Sequence, residues 1–209
     1  MISAIRFTSC LLLMIGGEAL GATVSLVSAV RYVESNAARL FSVETSGQFD
    51  QSLSYPETGS FAGQQSFLSP QRMTVASQVM GAAVVGTSAF VVAIHLEEAT
   101  SWQATGSFSI KGTSGFACMS LSDQGHTTLF LNEVLGDPPA ADASRSWTAS
   151  GFLPAGDYVL DAIVHSGGTG LAHSGFLEMT FTIPEPSVLL LTPAFLLRRW
   201  RIRGRHGLW

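Results

Sequence analysis

The sequence predicts an all-β protein, an antiparallel β-sandwich of the jelly-roll-like or immunoglobulin-like kind. Three observations favour this fold: short stretches in which apolar and polar residues alternate, turn residues that recur between those stretches, and almost no helical periodicity. The composition agrees, because only 12% of the residues are charged and glycine is abundant, with 21 residues. Such a composition is typical of exported β-domains.

The first third of the chain contains strand signals of unequal clarity. Val24 to Val33 alternates as a strand with one wetter end, and Leu40 to Val43 is a second candidate strand. Residues 45–71 are rich in Ser, Gln and Gly with isolated aromatic residues, which favours short strands joined by loops. Met73 to Met80 alternates again and predicts a further strand.

Val79 to Leu96 is the most apolar interior run. Its valines and its interruptions by glycine indicate two neighbouring buried strands with a turn near residues 86–88, and not a membrane span. In the second strand Phe90, Val92, Ile94 and Leu96 are expected to share one face, and His95 is expected on the opposite face with Val91 and Ala93.

The middle of the chain has the clearest alternation. Thr105 to Lys111 predicts a strand with Phe108 and Ile110 pointing inward. Phe116 to Leu121 and Thr127 to Leu131 follow as two strands. Between them Ser122-Asp123-Gln124-Gly125 has the composition of a hairpin turn, and residues 137–142, with two prolines, are expected to form a surface loop.

The last two strands are preceded by distinct turn signals. Leu153-Pro154-Ala155-Gly156 favours a type I turn, with proline second and glycine fourth. In the next strand Tyr158, Leu160, Ala162 and Val164 are expected to share one face, opposite Val159, Asp161, Ile163 and His165. After a glycine-rich turn at residues 166–170, the final strand is expected to bury Leu177, Met179, Phe181 and Ile183.

The N-terminus has the features of a signal peptide. Residues 1–22 contain one positive charge, Arg6, then the apolar run Phe7 to Ile15, then the small residues Ala19-Leu20-Gly21 near a cleavage point. The apolar run is too short to span a membrane permanently. We therefore expect residues 1–22 to be a signal peptide and residues 23–183 to form one extracytoplasmic β-sandwich domain.

The C-terminus, residues 184–209, has a different organisation. Pro184 and Pro186 are unsuited to a sheet ladder and end the folded domain. The apolar run Val188 to Leu197 follows, and then arginines at 198, 199, 201, 203 and 205. Basic residues after an apolar segment favour a cytoplasmic C-terminal side. The run would extend only roughly 15 Å as a helix, so it is a transient anchor at most, and an amphipathic or disordered basic end is the alternative.

This order of motif, apolar run and basic end resembles the PEP-CTERM sorting signal of Gram-negative bacteria. The resemblance implies export by the Sec machinery, a precursor held transiently in the inner membrane by a transmembrane segment, processing by an exosortase, and delivery to the cell surface or extracellular matrix. It implies that Pro184, Glu185 and Pro186 form the recognition and processing motif and that Arg198, Arg199 and Arg201 are stop-transfer charges. The segment Leu153 to Leu160 is also similar to the membrane-proximal part of such proteins.

Charge and cysteine content restrict the possible partners and chemistry. Residues 22–183 contain five Lys/Arg against thirteen Asp/Glu, a net charge of −8. Nucleic acid is therefore excluded as an expected partner, because phosphate binding needs a basic surface. Only Cys118 remains after signal cleavage, so no internal disulfide forms, and its apolar surroundings favour a buried small hydrophobe over a reactive thiol.

No sequence motif for catalysis is present. The chain lacks a nucleophile elbow, a Walker lysine and the common zinc patterns. We therefore expect no enzyme activity, no cofactor and no metal; a hydrolase whose triad assembles only in space is a lesser alternative. His165 and His173 flank the glycine-rich turn, and a hairpin would place them opposite each other, but two ligands without a third make a weak metal site.

The sequence thus leads to two principal functional hypotheses. The first is an exported, exosortase-sorted surface or matrix protein with a structural or adhesive role. The alternative is a carbohydrate-binding module on the same scaffold that recognises exopolysaccharide. In that alternative Trp102 and Trp147 are candidate ligand contacts, because aromatic rings stack on sugars, although packing in the core is favoured for both.

Overall fold

The computed structural model describes residues 23–36, 38–81, 85–112, 115–136, 142–167 and 173–184. These residues belong to one compact unit. The predicted signal peptide, the loop at 137–141 and everything from Glu185 onward lie outside the described residues. The expectations for those segments therefore stay predictions.

The described residues form twelve β-strands and no helix. In chain order the strands are β1 (Val24–Ser35), β2 (Ala38–Ser42), β3 (Gly47–Tyr55), β4 (Ser60–Leu68), β5 (Arg72–Gly81), β6 (Gly86–Leu96), β7 (Thr100–Lys111), β8 (Gly115–Asp123), β9 (Thr128–Gly136), β10 (Ala143–Leu153), β11 (Gly156–Ser166) and β12 (His173–Thr182).

The strands make two six-stranded sheets packed face to face. Sheet A has the order β2-β1-β6-β11-β8-β9, and sheet B has the order β10-β7-β12-β5-β4-β3. All strand pairs are antiparallel. The predicted all-β class and antiparallel β-sandwich are therefore confirmed.

The core lies between the sheets and is built from alternate residues of each strand, because successive side chains point to opposite faces. The inward faces predicted for β7 and β12 are confirmed. The residues predicted to share one face of β6 and one face of β11 do so, and that face points inward. The side chains concerned are buried: Phe90, Val92, Ile94, Leu96, Phe108, Ile110, Tyr158, Leu160, Ala162, Val164, Leu177, Met179, Phe181 and Ile183. The turn before β11 is held by Tyr158, whose hydroxyl donates to the carbonyl of Pro154 at 2.8 Å. Gly156 in that turn has a φ of +149°, which favours glycine.

Two turn and pairing expectations need correction. Gly86, Thr87 and Ser88 do not form a turn but lie in β6. Because β5 belongs to sheet B and β6 to sheet A, the two strands face each other across the core. The same holds for β11 and β12, so His165 and His173 are not a cross-strand pair. Periodicity identifies each strand but carries no information about which sheet it joins.

A cluster of aromatic rings packs the edge of the sandwich where β7, β9 and β10 meet. Trp102 lies over Gly151 on the neighbouring strand, and Trp147 lies over Gly106 in the reciprocal arrangement. A Cβ atom at Gly106 would come within 2.5 Å of the Trp147 ring and 2.6 Å of the Glu178 carbonyl oxygen. These glycines therefore supply the space that the two indoles fill.

Arg31 is fully buried on the inward face of β1, at 0% exposure. Its guanidinium donates to the carbonyl oxygens of Gly47 at 3.0 Å and Glu44 at 3.3 Å and to Ser42 Oγ at 3.3 Å. It also lies 5.5 Å from the centroid of the Phe49 ring. Arg31 thus fixes the crossing of the chain from β2 in sheet A to β3 in sheet B.

Gln64 makes a second buried polar contact between the sheets. Its amide nitrogen lies on β4 and donates to Ser88 Oγ and to the carbonyl of Ala89 on β6, both at 2.9 Å. Ser88 Oγ in turn donates to Ser77 Oγ on β5 at 2.9 Å. Because these buried donors have partners, the network does not carry the cost of an unsatisfied amide.

We predict that Arg31→Ala lowers the free energy of unfolding by about 3 kcal/mol, because it leaves a cavity and removes the donors of two carbonyl groups. Urea unfolding followed by tryptophan fluorescence measures the change. Arg39→Ala is the matched control, since Arg39 pairs with Glu34 on the exposed surface of the same strand pair. Its midpoint should stay near that of the wild type. Equal shifts for the two variants would contradict the structural role of Arg31.

Candidate functional site

The outer faces of the two sheets differ in chemistry. Sheet A displays many apolar side chains, and its edge strand β9 exposes Leu129, Leu131 and Leu135. Sheet B displays mainly hydroxyl and amide groups. We call the outward-facing side of sheet B the polar face; its members include Ser146, Thr148, Gln103, Thr105, Ser107, Glu178, Thr180, Arg72, Thr74, Gln78, Gln65, Gln48 and Asp50.

A first depression of about 480 Å³ lies on the polar face over β3, β4, β5 and β12. Its floor includes Ala76, whose small side chain lies between Glu178 on one neighbouring strand and Gln65 on the other. Around this floor stand two amides, two carboxylates, one guanidinium and one aromatic ring, from Gln48, Gln65, Asp50, Glu178, Arg72 and Phe67. The depression therefore presents both hydrogen-bond donors and acceptors.

A second depression of about 330 Å³ adjoins the first and shares Asp50, Gln65 and Ala76 with it. It adds Gln78 and the rings of Phe61 and Phe176. The Phe61 ring lies across Gly63, where a Cβ atom would come within 2.7 Å of the ring. The absence of a side chain at this position is thus what lets the ring lie along the sheet.

The polar side chains in the depressions form few hydrogen bonds with the rest of the protein. Gln65 donates to Asp50 Oδ2 at 3.3 Å, a long bond between exposed side chains. Phe67 and Phe176 are 39% and 36% exposed. Amides and carboxylates beside accessible aromatic rings are the groups that bind a hydroxyl-rich ring compound, because they match its polar edge and its apolar face.

Sequence reasoning did not identify this site. About half of its residues come from 45–71, which was expected to form short strands joined by loops. The structure instead gives the nine-residue strands β3 and β4, paired as a hairpin. The available signal was the isolated phenylalanines at period-two positions among Gln and Ser, with Phe61, Gly63, Gln65 and Phe67 on one side of β4.

Trp102 and Trp147, the candidate ligand contacts, lie in the core. They are 5% and 8% exposed and pack on Phe130, with ring centroids 5.8 Å and 5.5 Å away. Trp102 also stacks on Phe181 at 5.6 Å. Neither indole presents a face to solvent, so the structure places both in the packing role that the sequence favoured and not on a ligand platform.

The remaining candidate groups are dispersed. His95 hydrogen-bonds to Asp157 at 2.6 Å, and His165 bonds to Thr87 at 3.0 Å and stacks on Phe116. In the parts of the chain that the structure describes, no three His, Cys, Asp or Glu side chains are arranged to hold a metal ion. Cys118 is half-buried, and burial, with a smaller effect of Asp161, raises its thiol pKa to about 11, which keeps it protonated at neutral pH.

The predicted sorting residues lie at or beyond the end of the described chain. Pro184 is exposed and follows β12 directly after Ile183, whereas Glu185, Pro186, Arg198, Arg199 and Arg201 are outside the described residues. Within the described ranges no helix is long and apolar enough to cross a membrane.

No protein-family model and no curated protein matches this chain. Among solved structures it is similar to the carbohydrate-binding module TmCBM61 in complex with β-1,4-galactotriose, at 10% identity and a TM-score of 0.28, over 74% of this chain and 88% of that one. It is also similar to the enzymatically active domain of bacteriophage CBA120 tailspike protein 4, at 12% identity and a TM-score of 0.25, covering 79% of this chain and 20% of that chain. A structure of the infectious bursal disease virus Gx strain matches at 13% identity and a TM-score of 0.22, with 78% and 32% covered.

We predict that acid destabilises the domain through His173. This residue is 3% exposed, and neither ring nitrogen has a hydrogen-bond partner among the described residues. Burial, and secondly the neighbouring His165, lowers its pKa below the usual 6.5. As the pH falls through 6.5 the unfolded chain therefore binds a proton that the native ring resists, and stability decreases; above 6.5 this contribution is fully present.

The measurement is the urea midpoint of the wild type and of His173→Leu between pH 7.5 and pH 5.5. The wild-type midpoint should fall across this range, and the variant should show a flatter profile because it has no ring to protonate at this position. Parallel profiles for the two proteins would show that His173 does not contribute to the acid sensitivity.

Proposed function

We propose that this protein binds polysaccharide through the two depressions of the polar face, and that it acts as an exported adhesive component of the cell surface or extracellular matrix. The observation that carries the proposal is that exposed phenylalanine rings lie on one sheet face beside amide and carboxylate groups that form few hydrogen bonds with the protein. Catalysis is not part of the proposed function.

The chemistry of sugars supports this assignment. A sugar ring has a hydroxyl-bearing edge, which needs donors and acceptors together, and C–H faces, which pack on aromatic rings. In the first depression Phe67 provides the ring and Gln65 the amide, and in the second Phe176 and Gln78 provide the same pair. The two adjoining depressions therefore offer the same contacts twice, and each can bind a sugar unit.

Binding to polysaccharide is tested with the full-length protein and a panel of immobilised neutral and acidic polysaccharides. We expect retention on at least one neutral polymer, and we expect the double variant Phe67→Ala/Phe176→Ala to lose about tenfold or more in affinity, because each substitution removes a stacking surface. Phe41→Ala is the control, since Phe41 is an exposed phenylalanine of sheet A and is 67% exposed.

Unchanged near-UV circular dichroism would establish that the double variant is folded. Failure of the wild-type protein to bind any member of the panel would overturn the proposal. Equal affinity of the wild type and the double variant would show that the depressions are not the binding site.

Export and exosortase sorting make up the second part of the proposal. The resemblance of the tail to PEP-CTERM signals motivates it, and the end of the sandwich supports it. Ile183 is buried and its backbone N–H donates to the carbonyl of Gln71 at 2.9 Å, whereas Pro184 is exposed. The first residue of the proposed processing motif therefore follows directly after this hydrogen bond, at an exposed position that an enzyme can reach.

We predict that the mature protein from its native host ends close to Pro184-Glu185-Pro186. Mass spectrometry of the intact protein determines its C-terminus. A Pro184→Ala/Glu185→Ala/Pro186→Ala variant should retain the tail through Trp209, because the recognition motif is gone. A wild-type protein that ends at Trp209 would reject exosortase processing and leave polysaccharide binding unaffected.

A further inference from the structure

A single row of polar and aromatic side chains crosses the whole polar face. Strand register places Thr148 opposite Thr105, Thr105 opposite Thr180, and Thr180 opposite Thr74. The row continues through Phe67 to Gln48 on the two remaining strands. We call these six residues the threonine row; it contains one outward-facing residue from each strand of sheet B.

The row is longer than the depression in which it ends. Thr180, Thr74, Phe67 and Gln48 all line the first depression, whereas Thr105 and Thr148 continue past it onto β7 and β10. Neighbouring strands are about 4.8 Å apart, so six strands give a row of roughly 24 Å. Two of its members therefore lie outside the depression and have no role in binding a ligand confined to it.

The row hydroxyls are available to a ligand. Within the described ranges the threonine side chains that hydrogen-bond to the protein are Thr58, Thr87, Thr100 and Thr182, and none belongs to the row. Each hydroxyl can donate one hydrogen bond and accept others. A second, parallel row begins with Ser146 and Ser107 and leads to Glu178, so the surface beyond the depression is hydroxyl-rich over two rows.

Charge indicates which polymers suit this surface. At the outward-facing positions of sheet B, Arg72 and Lys111 balance Asp50 and Glu178. The exported part as a whole has a net charge of −8. An acidic polymer would meet no excess of cations on this face and a repulsive field from the rest of the domain.

We propose that the ligand is a neutral, extended, linear polysaccharide that lies across the strands along the threonine row, with some of its units in the first depression and the following units over Thr105 and Thr148. This inference rests on the proposed polysaccharide binding and specifies the class and direction of the bound polymer. The first depression binds individual units, and the row extends the contact from there to a longer chain.

The test compares oligosaccharides of different length. Neutral glucan, galactan and mannan oligosaccharides of two to eight units, and an acidic polyuronate, are titrated by calorimetry into the full-length protein. The variant is Thr105→Val/Thr148→Val, which keeps the shape and the β-branched character of both side chains but removes their hydroxyls. Thr128→Val, at an exposed position of β9 in sheet A, is the matched control.

For a neutral series that binds, we expect affinity to rise with length beyond the units that fill the depression. The double variant should lose about fivefold per hydroxyl toward the long oligosaccharides and nothing toward the shortest one that binds, because only the long chains reach β7 and β10. The control variant should match the wild type with every ligand.

Other results have separate meanings. Affinity that does not change with length, or is equal in the wild type and the double variant, would overturn the threonine row and leave the depressions as a site for single units. Preference for the polyuronate would overturn the neutral class of ligand. Absence of binding by every ligand would overturn the proposed function together with this inference.

Discussion

The alternation of side chains along the strands is the constraint on which the rest of the structure depends. Because each strand has only one face toward the core, the residues between the core positions are displayed whatever their chemistry. On β12, Leu177, Met179 and Phe181 are buried, while Phe176, Glu178 and Thr180 face solvent. A shift of register by one residue would exchange these sets and expose the core, so the core and the proposed binding face are held by the same pairing.

Specific pairing needs more than alternation, because many registers bury one apolar face. Several contacts distinguish the observed arrangement from the others. The two tryptophans of β7 and β10 fit only where a glycine lies directly across the ladder, at Gly151 and Gly106. Arg31 finds acceptors only where the segment from Ser42 to Gly47 passes beside it. Large or charged side chains that fit at only one position therefore specify the strand register, which apolar packing alone does not determine.

Much of the fold was predictable from the sequence, whereas the site was not. Apolar residues at alternate positions, such as Phe108 and Ile110, predict both that a strand is present and which of its faces points inward. The hairpin at Asp123 and the turn at Pro154 also follow from local composition. The sheet to which each strand belongs could not be predicted, because it depends on contacts between residues that are distant in sequence. The turn predicted near Gly86, which in fact lies in β6, is an example.

The polar face was not predicted for a related reason. A single threonine in a strand carries no functional signal, and only the pairing register of the strands brings Thr74, Thr105, Thr148 and Thr180 into one row.

The position of the last strand affects the order in which the domain can form. β12 lies in the centre of sheet B and joins β7 on one side to β5 on the other. Until it is in place, sheet B consists of two separate pieces, β10-β7 and β5-β4-β3, of which only the second is built from consecutive hairpins. Such non-local pairing slows folding, because the chain loses the entropy of a long loop before the stabilising contacts between the strands form. A chain that emerges N-terminus first would therefore keep sheet B in two pieces until the residues of β12 had emerged, so the domain could be completed only after its other described strands were present.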